Sequence, residues 1–251
     1  MEGILFCVIL KCMEISSRNN QLVLDIKKQV KDKSLIILDT PKLLSDAMSK
    51  GIVPRYIFAT SKCADMFCGA ITTSQSIIDM FSDVKTNAGV VGFIDPIYKE
   101  LKPPQGNFLV LDRVQDPGNV GTLIRSALGA NFKDIYLVDS AKISTKVIRA
   151  SMGAIFDENI YSLTKDEFLK FAKEHNLNLV MADMDGENIY QAKALENVGI
   201  VLGNEGQGVC DEIAMICKNT IKIPMNKNLE SLNVGVSGSI IMFEIEYGGR
   251  K

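Results

Sequence analysis

Residues 221–246 read IKIPMNKNLESLNVGVSGSIIMFEIE, and the fold turns on how this stretch is parsed. Ile221 and Ile223 alternate as in a strand, and Pro224 ends the run. A polar turn covers 225–230, and an apolar run of helical period follows over 232–245. A strand, a turn and a helix are thus packed into one segment. Ser231 stands where a helix N-cap belongs, its hydroxyl able to accept from a free N–H of the first turn, and Asn233 then falls inside that turn. Packing alone does not explain an amide beside Gly235, Ser237, Gly238 and Ser239. Small residues let another backbone or a ligand come close.

Upstream of this stretch, strand-like runs recur at 108–111, 134–138, 159–161, 179–182, 199–202 and 220–223. Several are continuous apolar runs, as in strands buried on both faces of a parallel sheet. Helices fill the gaps. Asp116-Pro117 opens one that runs to Gly129, Ser144 opens another, Thr164 with Glu167 forms a capping box for 165–174, and 209–217 follows a glycine-rich turn. The alternation predicts an α/β domain with a parallel sheet, whose ligands lie beyond the carboxyl ends of the strands.

A smaller α/β unit precedes it. Leu22, Ile26 and Val30 recur at helical spacing, 34–38 is strand-like, and Thr40-Pro41 pairs a capping residue with a proline suited to a first helical turn. A strand at 55–59, a helix from Ser74 carrying Ile77, Ile78 and Phe81, and a strand at 89–94 complete the unit. Residues 98–106, YKELKPPQG, read as a linker, because Pro103-Pro104 continues neither a helix nor a central strand. The predicted domains are therefore 1–105 and 106–251. The amino terminus carries a short apolar run at 4–10. It lacks the basic start and cleavage site of a secretory signal, and the about 20 apolar residues of a spanning helix. It reads either as an extra strand or as residues ahead of a start at Met13.

With 47% hydrophobic residues in 251, the chain can bury a substantial core, and a net charge of −2 excludes coating nucleic acid by bulk charge. Any nucleic-acid contact must be local. Six cysteines without a Cys-x-x-Cys pair, and a single histidine, His175, leave a structural zinc site without its usual ligands. Reduced thiols in a cytoplasmic protein are expected. His175 reads as the C-cap of a helix, and Met184, near a strand end, as a candidate wall of an adenine pocket.

Three turns carry unusual residues. LDRVQDPGNVGTLIRSA at 111–127 sets Asn119 and Arg125 near a helix start, VLGNEGQGV at 201–209 runs a strand into Gly203, Gly206 and Gly208, and 221–246 is the third. The second is neither a Walker loop nor a Gly-x-Gly-x-x-Gly fingerprint. The turn after the first strand lacks the glycines of a dinucleotide-dependent oxidoreductase. Taken in order, NVGTLIR at 119–125, GNEGQG at 203–208 and IPMNKNLESLNV at 223–234 closely resemble the three motifs of the SpoU (TrmH-like) RNA ribose methyltransferases of the SPOUT superfamily.

The resemblance covers about 106–247. It implies a parallel-sheet domain with a deep trefoil knot that binds S-adenosylmethionine, preceded by a small L30e/L7Ae-like α/β substrate-binding domain, in a homodimer. Where the family carries a glycine-containing step after the first strand of that small domain, Asp39-Thr40 stands here. By position, Gly203, Ile223 and Leu232 would touch the cofactor, and Asn119, Arg125, Glu205, Ser231 and Asn233 would surround the transferred methyl as catalytic residues. The implied reaction is methylation of a ribose 2′-hydroxyl in structured RNA, ribosomal RNA ahead of transfer RNA, with no metal and no membrane. A non-catalytic RNA-binding protein is the alternative. A guanidinium stays protonated near neutral pH, so Arg125 fits phosphate binding and polarisation of the hydroxyl better than plain proton abstraction.

Overall fold

The computed structural model describes residues 13–84, 86–191 and 195–248. The strand expected at 4–10 lies outside them. The chain divides into two compact units, Met1–Pro96 and Ile97–Lys251.

In the first unit the described elements are β1 (Glu14–Ile15), α1 (Gln21–Lys31), β2 (Ile36–Leu38), α2 (Pro41–Ser49), β3 (Tyr56–Ala59), β4 (Ile71–Thr73), α3 (Gln75–Ile78) and β5 (Val90–Ile94). Local chemistry sets the helix starts. The Asn20 side chain accepts from Leu22 N, and the Thr40 side chain accepts from Leu43 N with Pro41 behind it. The strand order is β1-β4-β3-β5-β2, and β5 runs antiparallel to both neighbours. Phe58, Phe81 and Phe93 meet edge to face at 4.9–6.1 Å in its core. The helix expected from Ser74 is a single turn, and Phe81 is buried just beyond it. β1 and β4 are two and three residues long, too short to register as a period.

The second unit holds β6 (Phe108–Asp112), α4 (Pro117–Gly129), β7 (Asp134–Val138), α5 (Thr145–Ala150), β8 (Asn159–Leu163), α6 (Lys165–Glu174), β9 (Leu179–Asn188), β10 (Gly199–Leu202), α7 (Asp211–Ala214), β11 (Asn219–Lys222) and α8 (Val234–Tyr247). Its sheet has the order β11-β9-β10-β6-β7-β8, with every strand pairing parallel. All strand carboxyl ends therefore face one way. Every residue of β6, β7 and β10 is buried, which accounts for their unbroken apolar runs. Under the sheet, Tyr136 packs against Phe108, Tyr161, Phe168 and Phe171 at centroid distances of 4.8–6.2 Å. Asp116 caps α4, Thr164 and Glu167 close the capping box of α6, and His175 is the C-cap of α6.

Several expectations need correction. Ser231 does not cap α8: Asn233 does, accepting from Gly235 N and Val236 N, and the helix begins at Val234. An amide oxygen serves a cap as well as a hydroxyl does, and here the amide also finds a partner for its nitrogen. The helix expected over 209–217 spans one turn. β9 runs six residues past Ala182, to Asn188, because its polar end pairs with Ile221 and Lys222 after a register shift at Thr220/Ile221. The 98–106 segment lies in the second unit rather than between the two. Lys99 N donates to Ile160 O at 2.9 Å, Tyr136 OH to Lys102 O at 2.7 Å, and Gln105 N to Asp134 Oδ2 at 3.1 Å. Cys63, Cys210 and Cys217 are free thiols, as expected, whereas Cys68 is disulfide-bonded.

Candidate functional site

A cavity of about 330 Å³ opens at the carboxyl ends of β10 and β11, beside the middle of β9. The middle of β9 contributes Ala182, Asp183 and Met184. Leu202, Gly203, Asn204, Glu205 and Gly208 come from β10 and the turn after it. Ile221, Lys222, Ile223 and Met225 come from β11 and its exit, and Ser231, Leu232, Asn233, Val234, Ser237 and Ile241 from the start of α8. About half of the lining residues are aliphatic and the rest are mostly polar, a make-up compatible with a small-molecule site.

Two glycines of the second turn are required by its shape. A Cβ on Gly203 would lie 2.1 Å from Gly208 C and 2.2 Å from Val209 N, so the chain crosses itself there with no room for a side chain. Gly208 has φ of +69°, in the left-handed region that glycine adopts without strain. The turn closes on paired backbone bonds between Asn204 and Gly208 at 3.0 and 2.9 Å.

The polar groups are ordered from the helix cap outward. Because Asn233 Oδ1 accepts from the first amides of α8, its Nδ2 must point away, and it donates to Asn119 Oδ1 at 2.9 Å. With its oxygen taken, Asn119 turns its own Nδ2 to Glu205 Oε1, also at 2.9 Å. Asn119 itself is held by its backbone N–H, which donates to the capping Asp116 Oδ1 at 2.8 Å. One acceptor at a helix start thereby orients two amides and ends on a carboxylate.

Of the residues expected at the site, Gly203, Glu205, Ile223, Ser231, Leu232 and Asn233 line this cavity, and Asn119 joins it through two hydrogen bonds. Arg125 does not line it. Arg125 is exposed on α4, six residues after Asn119, and no hydrogen bond or ion pair to it is found among the described residues. Met184 lies in the wall, but inside β9 rather than near its end as expected. Sequence reasoning did not single out Asp183, Lys222, Asn204 or Met225. Of these, Asn204 lay in view, since it follows directly on Gly203 in the glycine-rich turn.

The model of the SpoU rRNA Methylase family matches residues 106–243. A 23S rRNA (adenosine(1067)-2′-O)-methyltransferase of Streptomyces laurentii is 36% identical over 152 residues, 58% of this chain and 56% of that protein. A putative TrmH family tRNA/rRNA methyltransferase of Staphylococcus haemolyticus is 30% identical over 60% of this chain and 63% of its own length. The chain thus spans less than two thirds of the length of either relative. The crystal structure of an AdoMet-bound rRNA methyltransferase from Sinorhizobium meliloti superposes with a TM-score of 0.80 at 25% identity, covering 92% of this chain and 96% of that one. The cavity and its three contributing turns fall inside the matched residues or at their edge, and the chain belongs to the SpoU rRNA methylase family.

Proposed function

We propose that this chain methylates a ribose 2′-hydroxyl in structured RNA, using S-adenosylmethionine. One observation carries the reading: three turns distant in sequence meet at one cavity, where Asn233, Asn119 and Glu205 form a continuous polar chain. The cavity fits the donor in kind, with aliphatic walls from Ile221, Ile223, Leu232 and Met184 for a flat ring, and half-buried backbone at Gly203 for polar edges. When bound, the donor would supply a sulfonium methyl, already activated: as the ribose oxygen bonds to it the methyl–sulfur bond would break, the sulfur leaving as a neutral thioether and the hydroxyl proton passing to water.

The chain's own residues then have to bind and align. Gly203, Ile223 and Leu232 hold the donor. Asn119, Glu205, Ser231 and Asn233 orient the ribose so that its oxygen stands in line with the methyl, at about 3–3.5 Å. Arg125, exposed and without a protein partner among the described residues, binds a phosphate beside the reacting nucleotide and polarises the hydroxyl.

The larger architecture follows the same reading. β11 ends beside β9, at one edge of the sheet, while α8 packs on α4, with Gly238 against Leu123 and Leu202. Residues 223–233 must cross the strand ends to get there, and we read that crossing as the trefoil knot. Val236, Phe243 and Tyr247 are exposed along one face of α8, a stripe suited to a homodimer contact. The first unit, Met1–Pro96, takes the role of an L30e/L7Ae-like RNA-binding domain. Ribosomal RNA is the favoured substrate, with transfer RNA second, and the place of work is the cytoplasm. Among the described residues no helix is long and apolar enough to cross a membrane.

Calorimetry with S-adenosylmethionine and, separately, NAD tests the donor, and methyl transfer to purified ribosomal and transfer RNA tests the acceptor. Binding of the first donor alone, with transfer to ribosomal RNA, is expected. Binding without transfer to any RNA would leave a passive binder.

A further inference from the structure

The roles above use the cavity walls and the Asn233–Asn119–Glu205 chain, and leave out a set of bonds lying behind the 203–208 turn. Asp112, the last residue of β6, is 1% exposed. Its carboxylate accepts from Cys210 N at 2.7 Å and from Arg113, through Nε at 3.2 Å and Nη2 at 3.3 Å. Gripped in this way, the Arg113 guanidinium faces the turn. Nη1 donates to Gln207 Oε1 at 2.9 Å, and Nη2 also donates to Gly208 O at 3.2 Å. The Arg113 carbonyl accepts from Asn204 Nδ2 at 3.0 Å, and Asn204 Oδ1 in turn accepts from Gly206 N and Gln207 N. The Arg113 N–H donates to Val138 O at 2.9 Å, anchoring the whole assembly to β7.

Arg113 also has φ of +56°. Residues with a Cβ rarely adopt this conformation, and it persists where the surroundings over-determine it, most often beside functional sites. Neither Asp112 nor Arg113 lines the cavity. Both act on it at one remove, through the turn.

We propose that Asp112 and Arg113 are positioning residues that fix the 203–208 turn, and with it Gly203 against the donor and Glu205 against Asn119. The proposal rests on the methyltransferase reading of the site. An exposed turn with three glycines samples many conformations when free, and ordering it beforehand removes that cost from the binding and transfer steps. A planar guanidinium suits the task because it serves Asp112, Gln207 and Gly208 at fixed angles, which a lysine ammonium does not.

The test uses the full chain as Arg113→Gly, Arg113→Lys and Gln207→Ala. The glycine variant removes the clamp while relieving the left-handed backbone, so its thermal midpoint should stay near that of the unmodified chain. Hydrogen exchange in the absence of donor should quicken at residues 203–210 and nowhere else. Donor affinity and kcat should each fall about tenfold or more, the scale expected when a site is misplaced by a fraction of an ångström to an ångström. Gln207→Ala should move the same quantities in the same direction by less, and Arg113→Lys should fall between Arg113→Gly and the unmodified chain. Unchanged exchange in Arg113→Gly overturns the proposal, as does unchanged affinity and turnover. So does a loss that merely tracks a lowered thermal midpoint. If the unmodified chain binds no donor, the methyltransferase reading fails, and the exchange measurement still decides whether the clamp orders the turn.

Discussion

The two units use the same strand-and-helix vocabulary and put it to different ends. In the second, six strands lie parallel, so the turns after β6, β9, β10 and β11 all emerge on one side. In the first, β5 runs against β2 and β3, and the turns are shared between two edges. Parallel strands require long crossovers, and those crossovers bring residues far apart in sequence to a common rim. The bond between Asn119 and Asn233 spans 114 residues. A chemical site is thus a consequence of strand direction in one unit, while the other offers a surface. The predictions below press on that contrast.

The largest effect is expected from Arg125→Ala, which should lower methyl transfer on the order of 10²–10³-fold while leaving donor binding nearly intact, as for loss of a group that acts on developing charge. Kinetics and calorimetry on one preparation check it, and full turnover would remove Arg125 from the mechanism. Next, the second unit prepared alone, Ile97–Lys251, should bind the donor like the full chain and lose RNA affinity by about tenfold or more. Equal RNA affinity would erase the proposed division of labour. Asn233→Asp keeps an oxygen for the α8 cap and loses the N–H donated to Asn119, so turnover should fall about tenfold with the thermal midpoint little changed, whereas Asn233→Ala should also cost about 1 kcal/mol of stability. If Asn233→Asp turns over like the unmodified chain, the amide serves the cap alone.

The last effect lies away from the site and touches stability alone. Burial pushes Glu158 up from its ordinary 4.5 to about 8, and its carboxyl oxygens have no hydrogen-bond partner among the described residues. Between those values the folded chain keeps a proton that the unfolded chain releases, so stability falls as pH rises through this window. Glu158→Gln should flatten that decline and gain at least about 1.4 kcal/mol at pH 8 relative to pH 5, measured by denaturant unfolding at both. Parallel pH profiles for the two proteins would contradict it.

Much of this was legible in the sequence where physics is local. Apolar runs marked β6, β7 and β10 because both faces of those strands are buried, and caps marked α2, α4 and α6 because the capping residue bonds only two or three positions ahead. The second half of β9 was not legible, since its polar residues are ordered by a distant partner strand. Ser231 and Asn233 are both good capping types, and the bond from Asn233 to Asn119, 114 residues away, is not visible from local sequence. Arg113 carried no signal, because its strained backbone and its hold on Gln207 and Gly208 exist only once β6 and β10 lie side by side.

The most direct measurement incubates the full chain with extracted RNA and S-adenosylmethionine labelled on its methyl group, then digests the RNA to nucleosides and finds the label. The account predicts label on the ribose 2′-oxygen of a single nucleoside, reduced on the order of 10²–10³-fold in Arg125→Ala. Label on a base, or none transferred, would contradict it.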